Sequence, residues 1–366
     1  MDRIKVLITG PNLKGGPGGI RTHILHILNA FSTSDIVEIR HLPVTPGLHD
    51  DERWATRILR FSRSLLSFAR AVRAADTLHL NSTFDSRSLI RDCVHLAIAT
   101  IVFRKPAIIQ FHGGLPAKTA ILKHLRWLFA LILRQAKDIL ILSKLQAAQF
   151  YTLFPGMKYR LVPNYIDCDI SHRPTRLTNP HRLRFLFMGR VHVSKGIEEI
   201  VEAAEILAQR GYSFDVELCG DGPARGWLER EVSRRTLTGN RPYLIYSGSV
   251  DGAEKISALR RSDVILLPSY QEGFPYTMLE GAKFGLPMIA TAVGGIPDFI
   301  RHRYNGMLIR ESNAELLAGE MEYAIRHPRL IHEMGRRAQL QVEAEFSFDC
   351  LRKTFGQIYR SVSVVG

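Results

Sequence analysis

Val264–Ile265–Leu266–Leu267–Pro268–Ser269–Tyr270–Gln271–Glu272–Gly273–Phe274–Pro275–Tyr276–Thr277–Met278–Leu279–Glu280 is the stretch that decides the fold. Its first four residues are an uninterrupted apolar run, the pattern of a parallel strand buried on both faces. A glycine-containing turn follows, and Pro275 suits the first turn of a helix that carries Glu280. A strand, a turn and a helix start make an anion site, because backbone N–H groups and the positive end of the helix dipole face the loop. Glu272 and Glu280, with seven residues between them, flank that loop. Ionised carboxylates accept hydrogen bonds from hydroxyls. Phosphate binding beside two hydroxyl-binding carboxylates implies a sugar nucleotide.

Working outward, the same alternation of short apolar strands and helical segments fills the chain and predicts a parallel α/β architecture. Strands are expected at Lys5–Thr9, Ile36–Arg40, Thr77–Leu80, Ala107–Phe111, Asp138–Leu142 and Arg160–Val162. Six more are expected at Arg184–Met188, Asp215–Cys219, Leu244–Ser247, Val264–Leu267, Met288–Thr291 and Met307–Ile309. A chain of 366 residues suggests two domains. The boundary is expected in Pro163–Pro180, which holds three prolines and little periodicity. This gives domains over residues 1–166 and 167–346.

Charge is unevenly shared. The net formal charge is +14, and residues 1–166 hold 23 Lys/Arg against 10 Asp/Glu, while residues 167–366 hold 26 against 25. An excess confined to one half points to an anionic partner there: a membrane face, a lipid-linked phosphate, a charged glycan or nucleic acid. On a helical wheel Trp54, Ile58, Phe61, Leu65, Phe68 and Val72 share one face, with Arg53, Arg57, Arg60 and Arg63 opposite. Such a helix either lies on anionic lipid or packs on a sheet with its arginines solvated. The segment around Lys123–Arg134, with Trp127, reads as core.

The four cysteines lie far apart and form no CxxC pair, which argues against a zinc cage or a disulfide framework and fits a reducing compartment. No apolar run reaches membrane-spanning length, and the first residues read as a strand rather than a signal peptide. A cytoplasmic protein, peripheral at most on the inner membrane face, is expected. HExxH, GxxxxGK[ST] and GxSxG are all missing, so a metal hydrolase, a P-loop nucleotidase and an α/β-hydrolase have no support. One DxD tripeptide, Asp167–Cys168–Asp169, falls in the expected inter-domain linker rather than on a strand-to-helix loop beside the diphosphate candidates, and no metal dependence is expected.

Other loops carry candidate groups. Gly15–Gly16–Pro17–Gly18–Gly19 follows the first strand, and Gly16 and Gly19 allow close backbone approach of a ligand; a tight turn is the simpler alternative. His112 ends a parallel strand beside Gly113 and Gly114, where such sheets bind ligands. The other histidines read as structural. Arg190 and Lys195 share one strand-to-helix loop, suited to grip a diphosphate leaving group. Gly220–Asp221–Gly222 reads as a turn, and Gly294–Gly295 as helix initiation or a donor contact.

Taken together these motifs resemble family 4 of the retaining glycosyltransferases, which have the GT-B fold: two Rossmann-like doubly wound parallel-sheet domains facing across a cleft. The resemblance spans nearly the whole chain and is strongest from Phe185 to Ile309. Glu272–Gly273–Phe274 through Glu280 looks like the family's paired-glutamate signature. Arg190, Lys195–Gly196, Pro268–Ser269, the Gly15–Gly19 loop and Phe111–His112–Gly113 stand where the family has them. Val162–Pro163–Asn164–Tyr165–Ile166–Asp167 is similar to its inter-domain strand end, with Tyr165 where glycine is usual.

The resemblance implies that Arg190 and Lys195 bind the donor diphosphate and Glu280 the ribose. Glu272 would face the transferred sugar, helped by amides at Gly273 and Phe274 beside Pro275. His112 would contact that sugar. The first domain would take a glycan or lipid-linked acceptor, the second a nucleotide sugar, UDP-linked before GDP-linked, with no cofactor, no metal and no nucleic acid. A C-terminal helix, about residues 347–366, would return to the first domain. Front-face displacement with retention is implied, the departing diphosphate taking the acceptor's proton. The competing readings are a GT-B epimerase or phosphorylase, and a non-enzymatic membrane- or polyanion-binding module.

Overall fold

A computed structural model describes residues 3–14, 18–44, 54–113, 120–168, 182–238 and 243–363. The chain divides into two compact units. Unit 1 is Met1–Asp167 with Phe348–Gly366, and unit 2 is Cys168–Ser347. Each is built on a six-stranded sheet in which every strand pair is parallel.

In unit 1 the strands are β1 (Ile4–Gly10), β2 (Val37–Pro43), β3 (Thr77–Thr83), β4 (Ala107–His112), β5 (Asp138–Ile141) and β6 (Arg160–Leu161). Their order across the sheet is β2-β1-β3-β4-β5-β6. Side chains alternate between the two faces of a strand, and both faces are covered here. Leu78, Leu80, Ile109, Phe111 and Ile141 pack under the helices α2 (Trp54–Arg73), α3 (Ser86–Ala97), α4 (Ala120–Leu133) and α5 (Lys144–Leu153). The alternate residues Val6, Ile8, Ile108 and Leu140 pack on α1 (Gly19–Ala30) and on α13 (Phe348–Ser363). The last helix of the chain therefore completes the first unit's core, burying Phe355, Ile358 and Tyr359 there. Between α3 and β4 the backbone widens into one π-helical turn, Ile98–Val102.

In unit 2 the strands are β7 (Leu183–Met188), β8 (Phe214–Cys219), β9 (Leu244–Gly248), β10 (Val264–Leu267), β11 (Met288–Thr291) and β12 (Met307–Ile309), ordered β12-β11-β10-β7-β8-β9. Helices α6 (Ile197–Gln209) and α11 (Ala314–Arg326) close one face over Phe185, Phe187, Val264 and Leu266. Helix α9 (Tyr276–Lys283) lies on the other, where Gly281 stands so close to Ile265 that a Cβ would meet its side chain at 2.7 Å. All twelve strands lie where the alternation places them, with ends differing by three residues at most.

Two readings need correction or restriction. Trp127, expected in the core, is 69% exposed, and Phe129 and Leu133 of the same helix are buried instead. Helix α4 is apolar nearly all round, so periodicity alone does not say which side faces the sheet. Within α2, Phe68 and Val72 are buried as the helical wheel requires, while the side chains of residues 54–62 lie outside the described residues. Among the described residues no helix is long and apolar enough to cross a membrane.

Candidate functional site

A doubly wound sheet binds ligands where neighbouring strands send their crossovers to opposite sides, because the loops diverge there and open a crevice. In unit 2 that switch point lies between β7 and β10, which are hydrogen-bonded neighbours. The loop after β7 carries Arg190 and Lys195, and the loop after β10 carries Glu272. The topology thus brings together groups some eighty residues apart.

The two loops are tied by their backbones. Tyr270 N donates to Ser194 O at 3.0 Å, and Thr277 Oγ1, in the first turn of α9, donates to Met188 O at 3.1 Å. Val193–Lys195 form one 3-10 turn, capped by the His192 side chain accepting from Ser194 N at 3.0 Å. Gly196 follows at φ 70° and starts α6; a Cβ there would lie 2.2 Å from Pro268 O. On the other side Gly294, at φ 57°, would bring a Cβ within 2.1 Å of Glu272 O, and Gly295 N donates to Gly273 O at 2.5 Å. Gly294–Gly295 therefore buttresses the Glu272 turn. Gly220 and Gly222, read as a turn, press equally closely on Gly189 O and Val191 O, so they set the floor under the Arg190 loop.

Within this frame Lys195 Nζ donates to Glu272 Oε1 at 2.6 Å, and Ser269 Oγ donates to the same oxygen at 2.8 Å. The Lys195 side chain is 26% exposed and Glu272 10%. A carboxylate whose oxygen already accepts two such hydrogen bonds is a weak nucleophile, and a cation facing the loop remains available to a phosphate. Arg190 is exposed and has no acidic partner among the described residues. Glu280, one turn into α9, accepts from Lys255 Nζ at 2.6 Å. Pro275, expected in the first turn, stands instead at the N-cap of α9, which has no side-chain cap, and Phe274 beneath it is buried against Phe346. Gly273 occupies the turn between Glu272 and that cap.

Lys255 on α8 (Gly252–Arg260) escaped the sequence reading. It sits in the first turns of a helix of mixed polarity, three residues after Gly252, and only the ion pair marks it.

In unit 1, Gly19 begins α1 and Gly18 caps it, with no atom within 4 Å of a Cβ at either position. Gly16 lies outside the described residues. His112 ends β4 and is buried. Its Nε2 lies 2.8 Å from Asn81 Oδ1, and Asn81 Nδ2 donates to Thr9 O at 3.0 Å. That second bond orients the amide, so His112 Nε2 must be the donor and Nδ1 keeps its lone pair. Burial pushes the His112 pKa down to about 3, with His79 adding to the shift.

His112 is not alone: His23 and His79, read as structural, are buried beside it. The His23 ring meets it edge-on, 4.7 Å between centroids. Gln110 Oε1 accepts from His23 Nε2 at 2.9 Å and from His79 Nε2 at 3.2 Å, and Tyr359 of α13 donates its hydroxyl to His79 Nδ1 at 2.9 Å. Burial lowers His79 to about 4 and His23 well below its ordinary value. All three imidazoles are therefore neutral, each fixed in one tautomer.

This cluster sets a pH dependence. The unfolded histidines titrate near 6.5. Folded-state values lie lower, so the unfolded chain binds more protons in mild acid, and stability is lost as pH falls below 6.5. Three such groups should cost roughly 4 kcal/mol between pH 7.5 and 5.5. Urea unfolding at the two pH values checks this; an unchanged midpoint would contradict it.

The chain is similar to known proteins. Residues 171–341 match the family model described as glycosyl transferases group 1, a span holding Arg190, Lys195, Glu272 and Glu280. The chain is 22% identical to the glycogen synthase of Mycobacterium tuberculosis, over 93% of this chain and 91% of that protein. It is 21% identical to a putative colanic acid biosynthesis glycosyltransferase, WcaL, of Salmonella typhimurium, over 87% and 80%. Among solved structures, Anabaena Alr3699/HepE in complex with UDP superposes with a TM-score of 0.75 at 16% identity, covering 98% of this chain and all of that one. Each unit's sheet is thus that of a GT-B protein.

Proposed function

We propose that the chain, which matches the group 1 glycosyl transferase model over residues 171–341, moves a sugar, with retention, from a nucleoside diphosphate to a glycan or lipid-linked acceptor of bacterial envelope or exopolysaccharide. The observation that carries the reading is the pairing of Lys195 with Glu272 at the β7/β10 switch point. A fixed cation beside a helix start at a sheet switch point is suited to receive a diphosphate, which supports the reading.

The roles follow from the chemistry of each group. Lys195 and Arg190 hold the diphosphate and neutralise the charge that grows as the glycosidic bond breaks. The amides of Gly273 and Phe274, at the start of α9, add dipoles of the same sign. Glu272 accepts from the transferred sugar's hydroxyls, and Glu280 from the ribose, with Lys255 fixing its carboxylate. Glu272, already accepting from Lys195 and Ser269, is poorly suited to attack carbon. The departing phosphate oxygen is the remaining base for the acceptor hydroxyl. His112, neutral across physiological pH, serves the sugar as a hydrogen-bonding group and not as a proton shuttle. Gly19, where nothing lies within 4 Å of a Cβ, leaves room for a ligand at the first unit's backbone, and Gly16 is assigned to the same ligand by its place in the glycine-rich run. UDP is the preferred nucleotide; the HepE relative crystallised with UDP and with UDP-glucose supports that choice. No metal or cofactor takes part in this scheme.

The test is a thermal-shift screen of nucleoside diphosphates and their sugar conjugates, followed by transfer assays with EDTA present. Stabilisation by a diphosphate, and transfer that survives EDTA, is the expected result. A 2-epimerised sugar nucleotide formed without acceptor would favour the epimerase reading. Loss of all transfer on chelation would overturn the metal-free scheme.

A further inference from the structure

The outer face of the helical layer formed by α3, the π-turn and α4 combines two features that rarely coincide on a soluble surface. Of the eighteen large apolar side chains exposed among the described residues, six lie here: Ile90, Val94, Ile101, Val102, Trp127 and Leu131. Their exposure is not marginal, at 62% for Ile101, 68% for Val102, 69% for Trp127 and 53% for Leu131. Ile90 and Val94 are one helical turn apart on α3, Trp127 and Leu131 one turn apart on α4, and α3 packs directly against both α4 and the π-turn. The opposite sides of these helices are committed to the sheet through Leu89, Cys93, Ala99 and Phe129. The apolar outer residues therefore have no part in the unit's own core.

Charge accumulates in the same place. Residues 54–153, the helical layer with its intervening strands, hold 15 Lys/Arg and 4 Asp/Glu. Most of the first half's positive excess thus falls within the sequence span of this layer. Arg87, Arg104, Arg126 and Arg134 are exposed at the border of the apolar residues and have no acidic partner among the described residues.

A protein partner would satisfy the apolar side chains, and a nucleic acid the cations. An anionic bilayer surface satisfies both at once, because indole and aliphatic side chains enter the interfacial region while arginines meet lipid phosphates. We infer that unit 1 docks on anionic phospholipid through the outer face of α3, the π-turn and α4, with Trp127 and Ile101–Val102 as the inserted groups. This moves the contact away from α2, whose basic amphipathic pattern first suggested a membrane.

The full-length chain is sedimented with vesicles of phosphatidylglycerol and phosphatidylcholine, and with phosphatidylcholine alone. Binding to the anionic vesicles only, weakened by about 0.5 M salt, is expected. A Trp127→Ser, Ile101→Ser, Val102→Ser variant should bind at least about tenfold more weakly, with an unchanged melting temperature because the residues are exposed. Arg126→Glu with Arg134→Glu should weaken binding likewise. Vesicle binding equal to wild type in both variants would overturn the inference, as would capture of a DNA duplex in preference to anionic vesicles. No donor nucleotide is present in these measurements, so their failure leaves the proposed transferase activity untouched.

Discussion

Lys195→Ala is expected to lower kcat/KM for sugar transfer by about 10²–10³-fold, the usual loss when one preorganised charge is removed from a developing anion. Two effects combine in this variant. The diphosphate loses its fixed ammonium, and the largely buried Glu272 carboxylate keeps only Ser269 as a donor from the pair that held it. Fold stability should also fall, by about 1–3 kcal/mol, because the largely buried carboxylate loses one of its two donors. Steady-state kinetics with a nucleotide-sugar donor, read beside a melting curve, separates the two. Undiminished turnover would remove Lys195 from the phosphate site. Arg190→Ala should act through affinity for the diphosphate in the same direction, since no acidic residue among those described competes for its guanidinium.

Gly294→Ala is expected to abolish activity although it changes no polar group. At φ 57° an alanine is strained, and its Cβ would stand 2.1 Å from Glu272 O and 2.8 Å from Gly273 O. One of the two loops must move, and either movement disturbs the Gly295–Gly273 bond that buttresses the Glu272 turn. The cost falls in the range of backbone strain plus overpacking, about 2–4 kcal/mol. Gly319→Ala is the matched control. It lies inside α11 with nothing within 4 Å of a Cβ, and alanine there should stabilise the helix by up to about 1 kcal/mol. Thermal melting and transfer assays on both variants test the contrast. Equal behaviour of the two would mean that the Gly294–Glu272 contact does not support the site.

The architecture was legible because parallel strands covered on both faces must be apolar throughout, and a run such as Val264–Leu267 has few other readings. The loops at the β7/β10 switch point were legible for the same reason: once a strand end is located, Lys195 and Glu272 fall on loops at the carboxyl edge. What escaped were partners that adopt no loop signature. Lys255 approaches Glu280 from a neighbouring helix, and Asn81 approaches His112 from the adjoining strand, at separations of 25 and 31 residues. Register, not pattern, creates those contacts. The His23–Gln110–His79–Tyr359 chain was hidden likewise, since its last member arrives with α13, 280 residues from His79. Trp127 failed in the opposite sense, because an apolar helix with no clean polar stripe can be turned either way by packing alone.

The most direct test of the account is a crystal structure of the protein with UDP, solved beside binding measurements for UDP and uridine on wild type and Lys195→Ala. The account predicts the diphosphate against Lys195 and the start of α9, UDP binding far tighter than uridine, and that advantage falling in the variant. Diphosphate density away from the β7 and β10 loops, or an equal preference in both proteins, would contradict it.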